Sequence, residues 1–250
     1  MKAFAASVLC LVVAAVAFAQ KPGSPTQTVL NFYRALRERR YVEGFRQSIY
    51  RSAIDGLTSA ELQDLEPDFA RTFAAIPEKI EARGEQINGD DAIVFLKFDG
   101  VEKLEQVTVI KVGGEWVVGD QDSLTVVNSQ GRAFFFNSRM TVNEGEAFEI
   151  LERIIGAEVI YSAKFQGRNA TLEELIKLGA VPKDIDDGEA SGYRFVLTIS
   201  EDKKSFIAVA TPTVYGKTGR LSFYADIERI RAEDLKGQPA TASSPIYQPK

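Results

Sequence analysis

The side chains of this sequence that could do chemistry are few, and most are carboxylates. Asp184, Asp186, Asp187 and Glu189 crowd one loop, a set of oxygen donors of the kind calcium takes. The spacing departs from the EF-hand pattern, with glycine one place early and no glutamate at the twelfth position. A solvated acidic turn is therefore the preferred reading. Asp90 and Asp91 form a second carboxylate pair, but they follow Gly89 at a turn, and neighbouring strand residues face opposite sides. Lys217 stands in Gly216-Lys217-Thr218-Gly219. The G-x-x-x-x-G-K-[ST] spacing is missing and no helix follows to supply a dipole, so a hairpin turn is expected rather than a phosphate loop. Tyr33, Arg34, Phe45, Asp99 and Trp116 could line a pocket in the N-terminal half, although core or surface duty accounts for each of them.

What is missing narrows the chemistry further. The sequence holds no histidine, which excludes triads and dyads with an imidazole base and metal sites with a histidine ligand. Its single cysteine, Cys10, lies in an N-terminal stretch that reads as a targeting segment. Lys2 gives a positive start, residues 5–18 are an apolar run, and Ala17-Phe18-Ala19 is an A-x-A cleavage site before Gln20. The run is too short for a spanning helix. Ser7-Val8-Leu9 before Cys10 is a poor lipobox, so cleavage after residue 19 is expected over lipid anchorage. Cleavage removes one lysine and no acid, taking the formal net charge from −5 to −6. It also removes the cysteine, so the mature chain has no disulfide. Carboxylate acid–base work, Ser–Lys pairs and oxygen-only metal sites remain. No cofactor is expected, nucleic acid is disfavoured as a partner by the charge, and no membrane span is expected after cleavage. The predicted location is periplasmic or secreted, by bacterial-type export.

The candidate residues have to be held by something, and the periodicity of the chain says what. Ser24 is a plausible N-cap with Pro25 at the first helical position, and Val29, Phe32, Tyr33 and Leu36 make one apolar face. A shorter helix over residues 41–50 carries Phe45 and Ile49. Thr58 and Glu61 form a capping box for a third, which Pro67 should interrupt. Residues 79–88, 92–99, 104–112 and 115–118 then read as strands, with Gly89-Asp90 and Gly113-Gly114 as turns. This order resembles the cone-shaped fold of the nuclear transport factor 2 superfamily over residues 24–120. The resembling parts are the helices at 24–36 and 41–50 and the strands at 90–98 and 105–120. That resemblance implies a helix-lined cone in which some members do chemistry and many do none, and it places Tyr33, Phe45 and Trp116 as possible pocket residues.

Residues 121–143 read as an ordered connector, with a possible strand at 123–127 and an aromatic run, Phe134–Phe136, that seals a core or a junction. Asn143 and Glu146 form a capping box for a helix over 144–165, whose broad apolar face (Phe148, Leu151, Ile155 and Val159, with Ala147, Ile150, Ile154 and Tyr161) suits a helix lying across a sheet. Thr171 and Glu174 cap a short helix that Gly179 stops. In residues 193–200, Tyr193, Phe195, Leu197 and Ile199 alternate with polar or smaller neighbours; 205–211 is a second strand ended by Pro212, and 221–225 a third. After Ile230 periodicity fades, and 237–250 reads as a mobile tail.

Residues 146–242 resemble the soluble part of type IV pilins and of pilin-like secretion proteins. The resembling pieces are the helix at 147–165, the step at 170–181, the strand entry at 191–199 and the segment 207–226. Gly192, Tyr193, Pro212, Tyr215, Gly216, Gly219, Phe223 and Tyr224 carry the likeness most directly. A pilin begins with a long membrane-held apolar helix, and here only its amphipathic half is matched, so the resemblance implies a pilin-like head without filament machinery. Asp184, Asp186 and Asp187 are the weak calcium candidates that the same resemblance brings to attention.

The expectation is an α+β protein of two domains: a signal peptide (1–19), a cone-like domain (24–120), a connector (121–143), a pilin-like domain (144–236) and a flexible tail (237–250). The expected role is that of an exported, non-catalytic envelope protein that binds another envelope protein and forms no filament by itself. The competing reading is a small-molecule binder or carboxylate-dependent enzyme using the N-terminal cone.

Overall fold

A computed structural model of the chain describes residues 23–185 and 188–249. It is an α+β fold with two antiparallel sheets. The expected signal segment and the acidic residues Asp186 and Asp187 lie outside the described residues, and Asp184 is placed by its backbone alone.

The first half opens with helix α1 (Pro25–Arg37), capped by the Ser24 side chain, which accepts from the Gln27 N–H, with Pro25 at its start. Helices α2 (Tyr41–Arg46) and α3 (Arg51–Asp55) follow. Helix α4 (Ser59–Thr72) carries the expected box, Thr58 and Glu61 bonding reciprocally. Pro67 does not interrupt it. Pro67 and Gln63, four residues before it, are both exposed, so the carbonyl that loses its partner faces water. Strands β1 (Ile80–Asn88), β2 (Asp91–Phe98), β3 (Glu105–Val112) and β4 (Glu115–Val118) form a meander in sequence order. α1 covers it with Val29, which packs on Ala92, Val94, Leu96 and Val109. The edge strand β1 is bulged between Ala82 and Gly84.

The stretch expected to be a connector is helical instead. Asp120 caps α5 (Gln121–Gln130), accepting from the Ser123 N–H, where a strand was expected. After a 3₁₀ turn at Gly131–Ala133, helix α6 runs unbroken from Phe134 to Lys164, 31 residues. Asn143 is therefore no N-cap. It is buried in mid-helix, and its polar demand is met by giving its Nδ2–H to the Thr218 carbonyl at 2.8 Å. Upstream of it, Phe135 gains more from burial against the first half than a helix start at residue 144 could offer.

The second half wraps the C-terminal part of α6. Helix α7 (Leu172–Lys177) has the expected Thr171–Glu174 box. Strands β5 (Glu189–Ala190), β6 (Tyr193–Ile199), β7 (Phe206–Pro212), β8 (Ser222–Ala225) and β9 (Ile230–Glu233) make the second sheet, again in sequence order. Ala147, Ile150, Leu151, Ile154 and Tyr161 of α6 pack on Tyr193, Phe195, Ala208, Ala210 and Phe223 of this sheet. Val159, expected on the apolar stripe, is 49 % exposed.

The tail is packed rather than mobile. The Ala232 N–H bonds to the Pro245 carbonyl and the Tyr247 N–H to the Ile230 carbonyl, both at 3.0 Å, which covers the edge of β9. Ala240 and Ser244 are buried, and the Tyr247 ring meets Phe148 and Phe223. The edge groups of β9, like those of any outer strand, need partners, and the tail supplies them.

Candidate functional site

An apolar cleft lies where the N-terminal half of α6 meets α4. On α6, Phe134, Phe135, Ser138, Arg139 and Val142 recur at helical spacing and so share a face. Leu65, Asp68, Phe69, Thr72 and Phe73, on α4 and just beyond it, stand opposite, and Phe45 of α2 forms the floor. The volume enclosed is about 310 Å³. The ring centroids of Phe45, Phe69 and Phe135 are mutually 5.0–5.1 Å apart, in tilted and edge-on contacts of the kind aromatic pairs favour. Phe73 and Tyr50 extend the wall.

Its rim is polar and tightly tied. The Arg139 side chain is 10 % exposed. It gives its Nε–H to Asp68 Oδ2 at 2.6 Å, Nη1–H to Asp64 Oδ1 at 3.1 Å and Nη2–H to the Asp64 carbonyl at 2.6 Å. Val142 stands at the mouth, 49 % exposed. An aromatic floor with a hydrogen-bonded polar rim is the anatomy of a surface that takes one or two apolar side chains from another molecule.

A second cleft, about 820 Å³, flanks the other side of α4 and is lined by Arg39, Arg40, Arg46 and Arg51. Its positive charge is largely answered. Arg40 pairs with Glu38 and Glu43, Arg46 with Asp55, and Arg51 with Glu115. Among the carboxylates of the first half whose pKa moves, the direction is downward. Glu38 is held down by Arg40, Glu81 by Lys79, and Asp120 by the Ser123 N–H it caps. Glu61 falls to about 2, chiefly because the Thr58 N–H bonds its ionised form. A general acid would need the opposite shift.

The residues singled out in the sequence separate into different roles. Tyr33 and Trp116 pack beside Val118 at the helix–sheet core, and Tyr33 meets Phe98 edge-on at 5.6 Å. Phe45 belongs to the aromatic cluster, against which Tyr33 also packs. Lys111 sits over the Trp116 ring. Asp90 pairs loosely with Lys111 at 3.7 Å, and Asp91 opens β2. Among the described residues no group of histidine, cysteine, aspartate or glutamate could hold a metal ion.

Of the eight residues of the second resemblance, Tyr193 and Phe223 lie in the core between the second sheet and α6. Tyr193 is fully buried, and its Oη–H bonds to the Leu221 carbonyl at 2.8 Å. Burial pushes that hydroxyl's pKa well up. Gly219 lies against it, since a Cβ there would stand 2.1 Å from the Tyr193 oxygen. Gly192 has φ +71°, and a Cβ on it would meet Asn143 and Thr218 at 2.8 Å. Pro212 pairs with Tyr193, and Phe223 stacks near the same ring. Tyr215 donates to Asp234, Gly216 turns the loop, and Tyr224 lies on the opposite face from Phe223. Lys217 reaches back to Asp64 of α4 at 3.3 Å, so it ties the two halves together where a phosphate-loop lysine would reach a ligand. Glu144 accepts from the Arg220 and Leu221 N–H groups beside it.

The tie of Arg139 to Asp64 and Asp68 was not legible in the sequence. Asp64 and Asp68 stand four apart on one helix face, which hints at a shared cation, but nothing local marks an arginine 71 residues further on. Compared with protein-family models, curated proteins and solved structures, the chain finds no match.

Proposed function

We propose that this is an exported, non-catalytic cell-envelope protein that acts by binding another envelope protein through the aromatic groove between α4 and α6. In this reading residues 1–19 are a signal peptide, the first half is a nuclear transport factor 2-like cone and the second a pilin-like head, and the mature protein is periplasmic or secreted. The observation that carries it is the groove itself, with Phe45, Phe69 and Phe135 at its floor and exposed Val142 at its mouth.

Among the described residues no helix is long and apolar enough to cross a membrane. The exposed face of α6 also carries Glu149, Glu152 and Arg153, which would be costly to bury in a filament core, so no self-filament is expected. The test is a photoreactive residue placed at Val142 and, as control, at exposed Ile87 on β1. One partner crosslinked in the envelope from position 142, absent from 87 and lost on Phe135→Ala, is the expected result. Equal labelling from both positions, or filaments of the purified protein by negative-stain microscopy, would overturn the reading.

A further inference from the structure

A third cleft, about 700 Å³, lies at the far end of α6, away from the groove. Its polar lining comes from Ser162 of α6, Asn169 beyond it, Lys204 and Ser205 before β7, and Asp226 and Glu228 after β8. Asn169 is the informative residue. It is 7 % exposed, yet among the described residues its side-chain amide has no hydrogen-bond partner. Its polar atoms keep solvent contact, and the residue lines the cleft.

Its backbone is pinned on both sides. The Asn169 N–H bonds to the Lys203 carbonyl at 2.8 Å. The next N–H, that of Ala170, bonds at 2.9 Å to Oε2 of Glu158, which is fully buried. Lys204 is held by giving a hydrogen bond to the Gln166 carbonyl at 2.8 Å, across Gly167. Asp226 spends Oδ1 on the N–H groups of Glu228 and Arg229, leaving Oδ2 for another donor. An amide, two hydroxyls, an ammonium and two carboxylates thus line one space. Exposed Val159 and Ile227 add apolar surface at the sides.

We propose that this cleft is a binding site for a saccharide. Mixed donors and acceptors of small size suit a ligand with many hydroxyl groups, each able to give and take a hydrogen bond. The aliphatic flanks suit the C–H face of a sugar ring. The pinned backbone at Asn169 lowers the ordering cost of binding. The competing ligand is a zwitterion held between Lys204 and Asp226.

Heteronuclear NMR of the isotope-labelled protein tests this, with the Asn169 side-chain amide and the Gly167 backbone amide as reporters. The probes are maltose, cellobiose and N-acetylchitobiose, each taken to tens of millimolar, and alanyl-alanine as the zwitterion. The expected result is a saturable shift of both reporters with at least one disaccharide. In Asn169→Ala, which removes no existing bond, the Gly167 response should weaken at least tenfold. In Ser162→Trp, which fills the cleft from the partly exposed side of α6, it should vanish while the melting curve is kept. No movement with any disaccharide, movement with alanyl-alanine alone, or a response that survives both substitutions would overturn the proposal.

Discussion

At the scale of single residues, two positions make claims that can be measured. Gly219 is needed for space, because any Cβ there runs into the Tyr193 hydroxyl. Gly219→Ala should cost about 1–3 kcal/mol, the usual penalty of overpacking. Tyr193→Phe in the same chain should restore part of it by removing the clashing oxygen, a coupling that a denaturation double-mutant cycle will read. Glu158 makes the second claim. Burial raises its pKa above the ordinary 4.5, the charge of Glu174 adds to this, and the Ala170 N–H opposes it. A carboxyl whose folded pKa is raised binds its proton more tightly when folded. It therefore disfavours the fold increasingly as pH rises through the unfolded value towards the folded one. Glu158→Gln keeps an acceptor for Ala170 and removes the buried charge. It should raise the melting temperature at neutral pH, and the gain should disappear below pH 4.5. A gain that is the same at both pH values would rule out the charge as its cause. In the sequence Tyr193 and Gly219 could be marked as important, but not as touching, because 26 residues and two strands separate them.

At the scale of elements, local signals were legible wherever the cause was local. The caps at Ser24, Thr58 and Thr171 and both meanders follow from side chains a few residues apart. The misread elements were those decided by distant partners. Residues 123–127 alternate like a strand, yet Asp120 caps them into a helix that buries Val127 beside Phe135. Asn143 looked like a cap because Glu146 stands three residues on, whereas its actual partner, the Thr218 carbonyl, lies 75 residues away. The tail looked featureless because its order comes from the edge of β9. The candidate groove was hidden for the same reason, since its two walls are 60–80 residues apart in the chain. α6 also holds two exposed glycines, Gly145 and Gly156, around which an added Cβ meets nothing within 4 Å. Gly145→Ala and Gly156→Ala should each stabilise by about 0.5–1 kcal/mol through helix propensity and a less free unfolded chain. Chemical denaturation checks this. A loss at Gly145 alone would mean that bending of α6 between the two cores matters to the fold.

At the scale of the whole molecule, the two cores are joined by one rod and a clasp. Phe135 of α6 is buried in the first core and Leu151 in the second. The loop between β7 and β8 adds Lys217 on Asp64, while Arg139 holds α6 to α4. Elements that serve two cores tie their stabilities together. Heating should therefore give one transition when followed by fluorescence of Trp116 in the first half and by protection of Tyr193 in the second. Phe135→Ala, costing about 3–5 kcal/mol, should lower both signals together. Two separated transitions would show instead that α6 frays between the cores and that each half stands alone.

The shared helix also has a consequence for the order in which the protein is made. A chain that emerges from its N-terminus can close the first core once the first turns of α6 are out. The remaining turns then carry Ile150, Leu151 and Ile154 with nothing to lie on until the strands 193–225 follow, and Tyr247 reaches Phe148 and Phe223 only at the last. For that interval a greasy rod projects from a finished half, and the nascent protein is a client for whatever holds unfolded chains apart at its site of synthesis.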